Sequence, residues 1–425
     1  MERENNTPFD LANQEIPLWR LVVAPIEEDP ASFYLLYTFH HAIGDGRSGM
    51  ALTEQLIQQL NLQAQARIVP CVFSDSHKSA VIEAVSNRPI PDSIESRVDC
   101  YPSIRTLLIE ASRALFLPGF MKKALEAPYW AGEIDSSLDI PNETELALLR
   151  FTPEETRAIV AAAKRRLTTV QSVLYTASIF SAQSIFLSAA SSHSNRKTES
   201  LTFATPVSLR TLLPNTKIAP EDQGNYTSEI LHNNIRIVDT TSFWGMTHAY
   251  RKKVVQGTQT ALGVQTLLEH FGMLSLLSKK DGAWEEFMAS RVKKDQHGRK
   301  ASIKLSNLGQ GWKDISAAAA AAISTSANDG LAQNVKDEDT EFLVQDAVFS
   351  QSSGVTASAL TMSAATANAT MTLTVTWQRA AFHGRCRGEL FMSEFKRILM
   401  EAVANAREDY LFTDVKPMQP VDRRV

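Results

Sequence analysis

The length and composition of the sequence are those of a globular protein with more than one domain. The chain has 425 residues, of which 44% are hydrophobic and 21% are charged, and a chain of this length usually divides its core between two domains. The net charge of −4 gives no sign of the basic faces that nucleic-acid-binding proteins carry, so no nucleic acid partner is expected.

Cysteine spacing and the first residues bear on the cellular compartment. The three cysteines lie far apart, which argues against a zinc knuckle and against a disulfide framework. The polar first residues argue against a signal peptide, and no uninterrupted apolar run is long enough to span a bilayer. We expect a cytoplasmic monomer.

Two antiparallel strands are predicted near the start of the chain, at Leu18–Ala24 and Phe33–Phe39. The run from Phe33 to His41 is almost entirely apolar or β-branched, which predicts a strand covered on both faces. Adjacent histidines on a strand point to opposite faces, so His40 and His41 are not expected to share a metal ion. The following segment, Gly44-Asp45-Gly46, is typical of a turn.

The region after this turn predicts one helix, a surface excursion and an amphipathic stretch. Ser48 is the predicted N-cap of the helix, and prolines interrupt residues 61–102. Residues 103–126 alternate apolar and charged positions at helical spacing. This stretch either makes peripheral contact with a membrane surface, or packs on its own domain or lines an acyl tunnel.

A new domain is predicted to begin near residue 145, giving an N-terminal domain over residues 1–144 and a C-terminal domain over residues 145–425. Glu145–Phe151 is the first predicted strand of the second domain. Thr152-Pro153-Glu154-Glu155 is a capping box with proline at the first helical position, which predicts a helix start.

The rest of the chain alternates strands, helices and low-complexity segments. Predicted helices cover 170–187, 241–277 and 389–406, and predicted strands cover 201–210, 229–238, 341–349 and 370–378. Residues 314–336 are a low-complexity segment that forms either a flexible loop or a frayed helix, and residues 350–369 are a similar low-complexity loop. Residues 281–304 are expected to be exposed. In the last strand, apolar residues alternate with threonines in a period of two.

The residues His40-His41-Ala42-Ile43-Gly44-Asp45-Gly46 read as His-His-x-x-x-Asp-Gly, and this pattern resembles the signature of the CoA-dependent acyltransferase superfamily. That group includes chloramphenicol acetyltransferase, alcohol acyltransferases and the condensation domains of nonribosomal peptide synthetases. The resemblance implies an α/β fold of two lobes, each a mixed sheet with flanking helices. The competing interpretation is a structural histidine at a strand end.

The resemblance also implies roles for individual residues. His41 is the expected general base and His40 supports it, while Asp45 has a structural role and Gly46 allows the chain to turn. Arg210, in Pro-Val-Ser-Leu-Arg, is either the ion-pair partner of Asp45 or a solvated arginine at a strand end. The expected substrate-binding residues are Tyr37, Asn225, Ser306 and Asn307, and the Ser306-Asn307 pair either donates to an oxyanion or makes a turn.

The expected reaction is transfer of an acetyl or other short acyl group from acyl-CoA to the hydroxyl, or the amine, of a small molecule. No permanently bound cofactor is expected, and acyl-CoA is the co-substrate. Relatives carry roughly a hundred residues or more before the motif, whereas this chain carries 39, so the first lobe is expected to be shortened. Two alternatives stay open: a condensation-type enzyme that uses a carrier-protein thioester, and an inactive binding relative.

Overall fold

The computed structural model describes residues 1–13, 15–65, 94–104, 106–108, 129–132, 142–187, 200–213, 218–275, 282, 286, 289–290, 298–312, 342–382, 385–405 and 409–415. The strands are β1 (Trp19–Ile26), β2 (Asp29–Phe39), β3 (Thr144–Arg150), β4 (Leu201–Ser208), β5 (Thr227–Ile235), β6 (Ile303–Gln310), β7 (Leu360–Ala367) and β8 (Thr370–Gln378). The helices are α1 (Glu2–Asn6), α2 (Gly46–Gln65), α3 (Ile94–Arg97), α4 (Pro153–Arg165), α5 (Val170–Ala182), α6 (Phe243–Gln259), α7 (Ala261–Ser275) and α8 (Cys386–Ala404).

The larger sheet has six strands in the order β3-β8-β7-β6-β4-β5. Strand β6 runs parallel to both β4 and β7, and the other neighbouring pairs are antiparallel. This arrangement confirms the predicted mixed α/β class.

One face of this sheet is packed against helices and forms the main core. Because side chains alternate along a strand, Phe203, Leu305 and Val375 all point to this face, and each is fully buried. Tyr175 of α5 packs edge-to-face on Phe203, with ring centroids 4.7 Å apart. The other face of the sheet is therefore free to meet the rest of the chain.

Helix α5 and the π-helical turn that follows it cover Val170–Leu187, which confirms the predicted helix. Among the described residues, this is the one helix long and apolar enough to cross a membrane, and 67% of it is buried within the protein. Core helices of soluble proteins have the same length and composition, so the finding is weak support for a membrane span.

The start of α4 confirms the predicted capping box. The hydroxyl of Thr152 accepts a hydrogen bond from the Glu155 amide, and the Glu155 carboxylate accepts one from the Thr152 amide. Pro153 occupies the first turn, where its missing N–H leaves no partner unsatisfied.

Strands β1 and β2 form a separate two-stranded antiparallel sheet, as predicted, in which Trp19 pairs with Phe39 and Val23 with Leu35. The expectation that β2 is covered on both faces is wrong. The side chains of Val23 and Tyr34 are 59% and 57% exposed, because no further strand or helix among the described residues covers that end of the hairpin. An apolar run indicates that a segment is suited to burial, but it does not show that another part of the chain covers that segment.

Residues 341–349 were predicted as a strand, and this prediction is wrong for the part that the structure describes: residues 342–349 belong to no sheet. They instead lie across the face of the sheet opposite the helices. The hydroxyls of Thr372, Thr374 and Thr376, here called the threonine ladder, donate to the carbonyl oxygens of residues 347, 349 and 351 at 2.6, 2.6 and 2.8 Å. Side-chain hydroxyls, rather than the backbone amides of a neighbouring strand, therefore donate hydrogen bonds to the carbonyl oxygens of this extended segment.

Other predictions were corrected by packing. Residues 360–367, within a predicted low-complexity loop, form β7, whose small side chains are buried between β6 and β8. The predicted helix over 241–277 is interrupted at Thr260, giving α6 and α7. The predicted loop over 314–336 and most of the amphipathic stretch over 103–126 lie outside the described residues.

The division at residue 144 stays a prediction. The Asn6 side chain donates to Thr144 O at 2.9 Å and accepts from Thr144 N at 2.7 Å. The start of the chain therefore contacts the first strand of the larger sheet.

Candidate active site

The two histidines lie in a turn between β2 and α2, formed by residues 40–46 and here called the motif turn. The His40 amide donates to Leu18 O at 2.9 Å, and the Ile43 amide donates to His40 O at 3.1 Å. The strand ends at Phe39, so the expectation that His40 and His41 occupy opposite faces of a strand is wrong. The turn separates the two imidazoles instead.

Asp45 caps helix α2. One carboxylate oxygen, Oδ1, accepts from the Ser48 amide at 3.0 Å, which is the contact that an N-cap residue makes with the third helical residue. Ser48 was the predicted cap, and that prediction is wrong by three residues. The Asp-x-x-Ser spacing contained this signal, because aspartate is among the strongest N-cap residues.

The second oxygen of Asp45, Oδ2, joins the motif turn to the larger sheet. It lies 2.6 Å from Arg210 Nη1 and accepts hydrogen bonds from Tyr226 N and Thr227 Oγ1, each at 3.0 Å. The Arg210 and Asp45 side chains are 3% and 2% exposed. Burial alone raises the pKa of Asp45, but the hydrogen bond and charge of Arg210, together with the backbone amides, hold it below its ordinary value.

Arg210 is held as firmly as its partner. Its Nη2 atom donates to Ser48 Oγ at 3.0 Å, to Asp222 O at 3.0 Å and to Gly224 O at 3.2 Å. The guanidinium also lies 4.7 Å from the ring centroid of Tyr226. Of the two interpretations of Arg210, the structure contains the buried ion pair.

Ser48 was not predicted to take part in the site. Its hydroxyl lies 2.9 Å from Gly224 O and accepts from the Gly224 amide at 3.1 Å. Ser48 thereby fixes α2 to the loop before β5, and no local sequence signal indicates a contact between residues so far apart.

The absence of a side chain at Gly46 leaves room for neighbouring residues to pack against the motif turn. A Cβ atom added at this position would lie 2.8 Å from Leu308 Cδ2 and 3.1 Å from Phe349 Cζ. Its backbone does not adopt a positive φ, so the expectation that Gly46 serves to turn the chain is corrected. The missing side chain lets β6 and the segment containing Phe349 pack directly on the motif turn.

His41 is exposed and lies beside Asn225. The side-chain amide nitrogen of Asn225 is 3.3 Å from His41 Nδ1 and 3.4 Å from His41 O. This contact occupies Nδ1 and leaves Nε2 as the ring nitrogen available to another molecule.

His40 is engaged within the turn. Its Nδ1 atom accepts a hydrogen bond from the Ala42 amide at 3.2 Å, and its ring packs edge-to-face on Phe9 with centroids 6.1 Å apart. These contacts suit a residue that supports the shape of the turn.

The remaining predicted site residues lie elsewhere around the turn. Tyr37 stacks on Phe39 with ring centroids 5.1 Å apart, and burial raises its pKa. Ser306 and Asn307 lie in β6, so the interpretation of this pair as a turn is wrong. Asn307 Oδ1 accepts from the Gly309 amide at 2.8 Å, at a register shift near the end of the strand.

A cleft of about 670 Å³ opens between α8 and β3, which is an edge strand of the larger sheet. Its walls contain Leu146, Arg385 and Lys396 and none of the residues predicted for the site. The motif turn, and not this cleft, is therefore the candidate active site.

Comparison with known families supplies the class of reaction. A model of the alcohol acetyltransferase family matches residues 4–320, which is most of the chain. The chain belongs to the alcohol acetyltransferase family. The matched region contains the motif turn, Arg210, Asn225 and β6. Members of the alcohol acetyltransferase family are acyltransferases, and acyl transfer is therefore the class of activity of this chain. Comparison with curated protein sequences gave no match.

Solved structures share the fold of this alcohol acetyltransferase family member. Trichothecene 15-O-acetyltransferase from Fusarium sporotrichioides is 12% identical with a TM-score of 0.53, over 90% of this chain and 70% of that chain. Polyketide synthase associated protein 5 from Mycobacterium tuberculosis is 12% identical with a TM-score of 0.52, over 94% and 80%. The condensation domain of the monacolin K polyketide synthase is 13% identical with a TM-score of 0.50, over 92% and 74%. These likenesses confirm the predicted two-lobed α/β fold. The expectation of a mixed sheet in each lobe holds for the larger sheet, whereas the β1–β2 sheet is a two-stranded antiparallel hairpin in the described residues.

Proposed function

We propose that this protein transfers a short acyl group, acetyl in the first instance, from a CoA thioester to the hydroxyl of a small-molecule acceptor, with His41 as the general base. The observation that carries the proposal is the buried Asp45–Arg210 pair, which fixes the turn that presents an exposed imidazole. Family membership gives acyl transfer, and the donor, the acceptor and the base are our additions.

The proposed reaction needs one proton acceptor and no covalent enzyme intermediate. His41 Nε2 takes the proton of the acceptor hydroxyl as its oxygen attacks the thioester carbonyl carbon. The C–O bond forms, the C–S bond breaks, and the thiolate takes the proton back from the imidazolium. The products are an ester and free CoA thiol, so atoms and charge balance.

Asn225 suits the task of selecting the correct tautomer. A base needs its proton on Nδ1 so that Nε2 carries the lone pair. The Asn225 amide reaches Nδ1, and a half-turn of that amide presents its oxygen to an Nδ1–H donor. This rotation gives up the contact between the Asn225 amide nitrogen and His41 O, 3.4 Å apart, and exchanges it for an Nδ1–H···Oδ1 hydrogen bond.

Asp45 suits a structural role. Both of its oxygens already accept hydrogen bonds, from the Ser48 amide on one side and from Arg210 and Tyr226 on the other. A carboxylate with these partners has no free lone pair directed at a substrate. Tyr37, Ser306 and Asn307 stay proposed substrate-binding residues. The cytoplasm stays the proposed location of the protein.

The direct test is release of free thiol from acetyl-CoA in the presence of a panel of primary and secondary alcohols. We expect turnover by the wild-type chain and a decrease of about 10² to 10⁴ in kcat for His41→Ala, the usual contribution of a general base. His248→Ala, which changes an exposed histidine on α6, is the matched control. Wild-type kcat in His41→Ala would refute the role of the imidazole.

The donor is tested by offering the same acyl group on phosphopantetheine attached to a carrier protein. Turnover with acetyl-CoA alone supports the proposal. Turnover only with the carrier-bound thioester would replace it with a condensation-type reaction, and no turnover with either donor and any alcohol of the panel would count against catalysis altogether.

A further inference from the structure

Strand β6 turns one of its faces toward the motif turn. Leu308 is the residue that a side chain at Gly46 would strike, so this leucine points at the turn. Because side chains alternate along a strand, Ser306 and Lys304 lie on the same face as Leu308, while Ile303 and Leu305 point into the core. Lys304 is about 13 Å from Leu308 along the strand, at roughly 3.3 Å per residue.

Lys304 is partly buried and poorly satisfied. Its ammonium donates to Gln351 Oε1 at 3.4 Å, which is long for a hydrogen bond, and the Gln351 amide also reaches Ser363 Oγ at 3.4 Å. No second acceptor for Lys304 is present in the part of the chain that the structure describes. Burial, with a smaller contribution from Lys300, lowers the pKa of Lys304 despite the opposing charge of Glu229.

The nearby carboxylate is already in use. Glu229 forms an ion pair with Lys300 and is the better buried of the two. Glu229 also lies two residues after Thr227, the threonine that donates to Asp45, on the same face of β5. Two cations, Lys300 and Lys304, therefore share one anion, Glu229, and the surplus positive charge belongs to the partly buried Lys304 ammonium.

A partly buried ammonium with spare donors is stabilised when an anion approaches it, because the desolvation cost has been met before the ligand arrives. We propose that Lys304 is a specificity-determining residue that pairs with an anionic group, a carboxylate or a phosphate, carried by one of the two substrates. This inference rests on the proposed acyl transfer at His41 and names a substrate class for it.

The two sources of the anion are separated by changing one substrate at a time. Acceptor charge is varied with 12-hydroxydodecanoate and its methyl ester, and donor phosphate with acetyl-CoA and acetyl-pantetheine. We expect Lys304→Met to raise KM about ten-fold for the charged member of one pair and to leave the uncharged member of that pair unchanged, as the loss of one hydrogen bond to a charged group predicts. Lys304→Arg, which keeps the charge, should recover most of this loss.

Glu229→Gln should change the KM for the charged substrate in the opposite direction. Removing the competing negative charge should lower KM for the same charged substrate, whereas a merely structural role of Lys304 predicts no such gain. Lys252→Met, an exposed lysine on α6, is the matched control and should change no KM. Thermal unfolding of each variant establishes that it is folded.

Binding measured by calorimetry keeps this inference separate from the proposed reaction. CoA, pantetheine and 12-hydroxydodecanoate are titrated into His41→Ala and into His41→Ala with Lys304→Met, so that no turnover is needed. A loss of about ten-fold in affinity for one anionic probe supports the role of Lys304 even if acyl transfer is refuted. Equal affinities of the two proteins for both CoA and 12-hydroxydodecanoate would overturn it.

Discussion

Asp45 and Arg210 form a buried ion pair, 2.6 Å between Oδ2 and Nη1, although 165 residues separate them in the chain. The pair links the end of the β1–β2 hairpin to the end of β4. It is surrounded by hydrogen bonds to Ser48, Tyr226 and Thr227, although Arg210 Nε is buried without a hydrogen-bond partner among the described residues. The position of His41 depends on this pair because the imidazole and the carboxylate share one short turn.

Removing one charge of this pair should be costly. Asp45→Asn leaves the Arg210 guanidinium buried without its counter-charge, and breaking a buried pair in this way destabilises a protein by about 3–5 kcal/mol. The free energy of unfolding in urea at pH 7 measures the loss. Asp346→Asn, which breaks the more exposed ion pair with Arg150, is the control and should cost about 0–1 kcal/mol. Equal losses in the two variants would contradict the role assigned to the buried pair.

Asn225 should affect the rate and leave stability unchanged. Asn225→Leu removes the amide that meets His41 Nδ1, the contact that we propose sets the tautomer and orientation of the ring. We expect kcat for acetyl transfer to fall about ten-fold, the value of one lost hydrogen bond, with KM little changed. Asn233→Leu, at an exposed position on β5, should leave kcat unaltered. A change in KM without a fall in kcat would indicate that Asn225 contacts the substrate instead.

The threonine ladder should stabilise the segment that carries Phe349. Thr374→Val keeps the shape of the side chain and removes the hydroxyl that donates to Phe349 O, leaving a poorly hydrated carbonyl without a partner. The expected loss is about 1–3 kcal/mol in the free energy of unfolding by denaturant. Thr370→Val, at the start of the same strand, is the comparison. Should both variants lose the same free energy, the ladder would have no special weight.

Stability should also fall on mild acidification because of His232. Burial, with a smaller effect of the Lys253 charge, lowers the pKa of His232 to about 4, and its Nδ1 lies 2.7 Å from the Tyr175 hydroxyl. An unfolded histidine titrates near about 6.5, so between these values the unfolded chain binds more protons than the folded one. The free energy of unfolding therefore decreases as pH falls from about 6.5 toward 4.

His232→Gln removes this proton uptake. We expect the variant to lose less stability than the wild-type chain between pH 7 and pH 5, measured by urea unfolding at each pH. His248→Gln, at an exposed position on α6, should retain the wild-type dependence. Parallel pH profiles for the wild-type chain and His232→Gln would rule out this histidine as the source.

Local signals were sufficient to predict several elements. The capping box at Thr152 and the period of two in residues 370–378 each depend on contacts within a few residues, and both are present as predicted. The motif made Arg210 a candidate partner of Asp45, but only through resemblance. Tyr226 and Thr227 reach the same carboxylate through tertiary packing, for which their sequence neighbourhoods contain no signal.

The errors have a common physical cause, because sequence patterns describe what a segment suits and packing decides what it meets. Residues 342–349 are extended as expected, yet side-chain hydroxyls of Thr372 and Thr374 replace the neighbouring strand. Small residues over 360–367 indicated a loop, and instead they allow β7 to pack tightly between its neighbours. The apolar β2 predicted full burial, but part of its hairpin stays exposed to solvent.

The dependence of the motif turn on Arg210 has a consequence for how such signatures are understood. The seven residues of the motif do not fix the motif turn by themselves, because the arginine that pairs with Asp45 lies 165 positions later in the sequence. A protein fragment that stops before β4 would contain the whole motif and lack the arginine that holds the turn in its conformation.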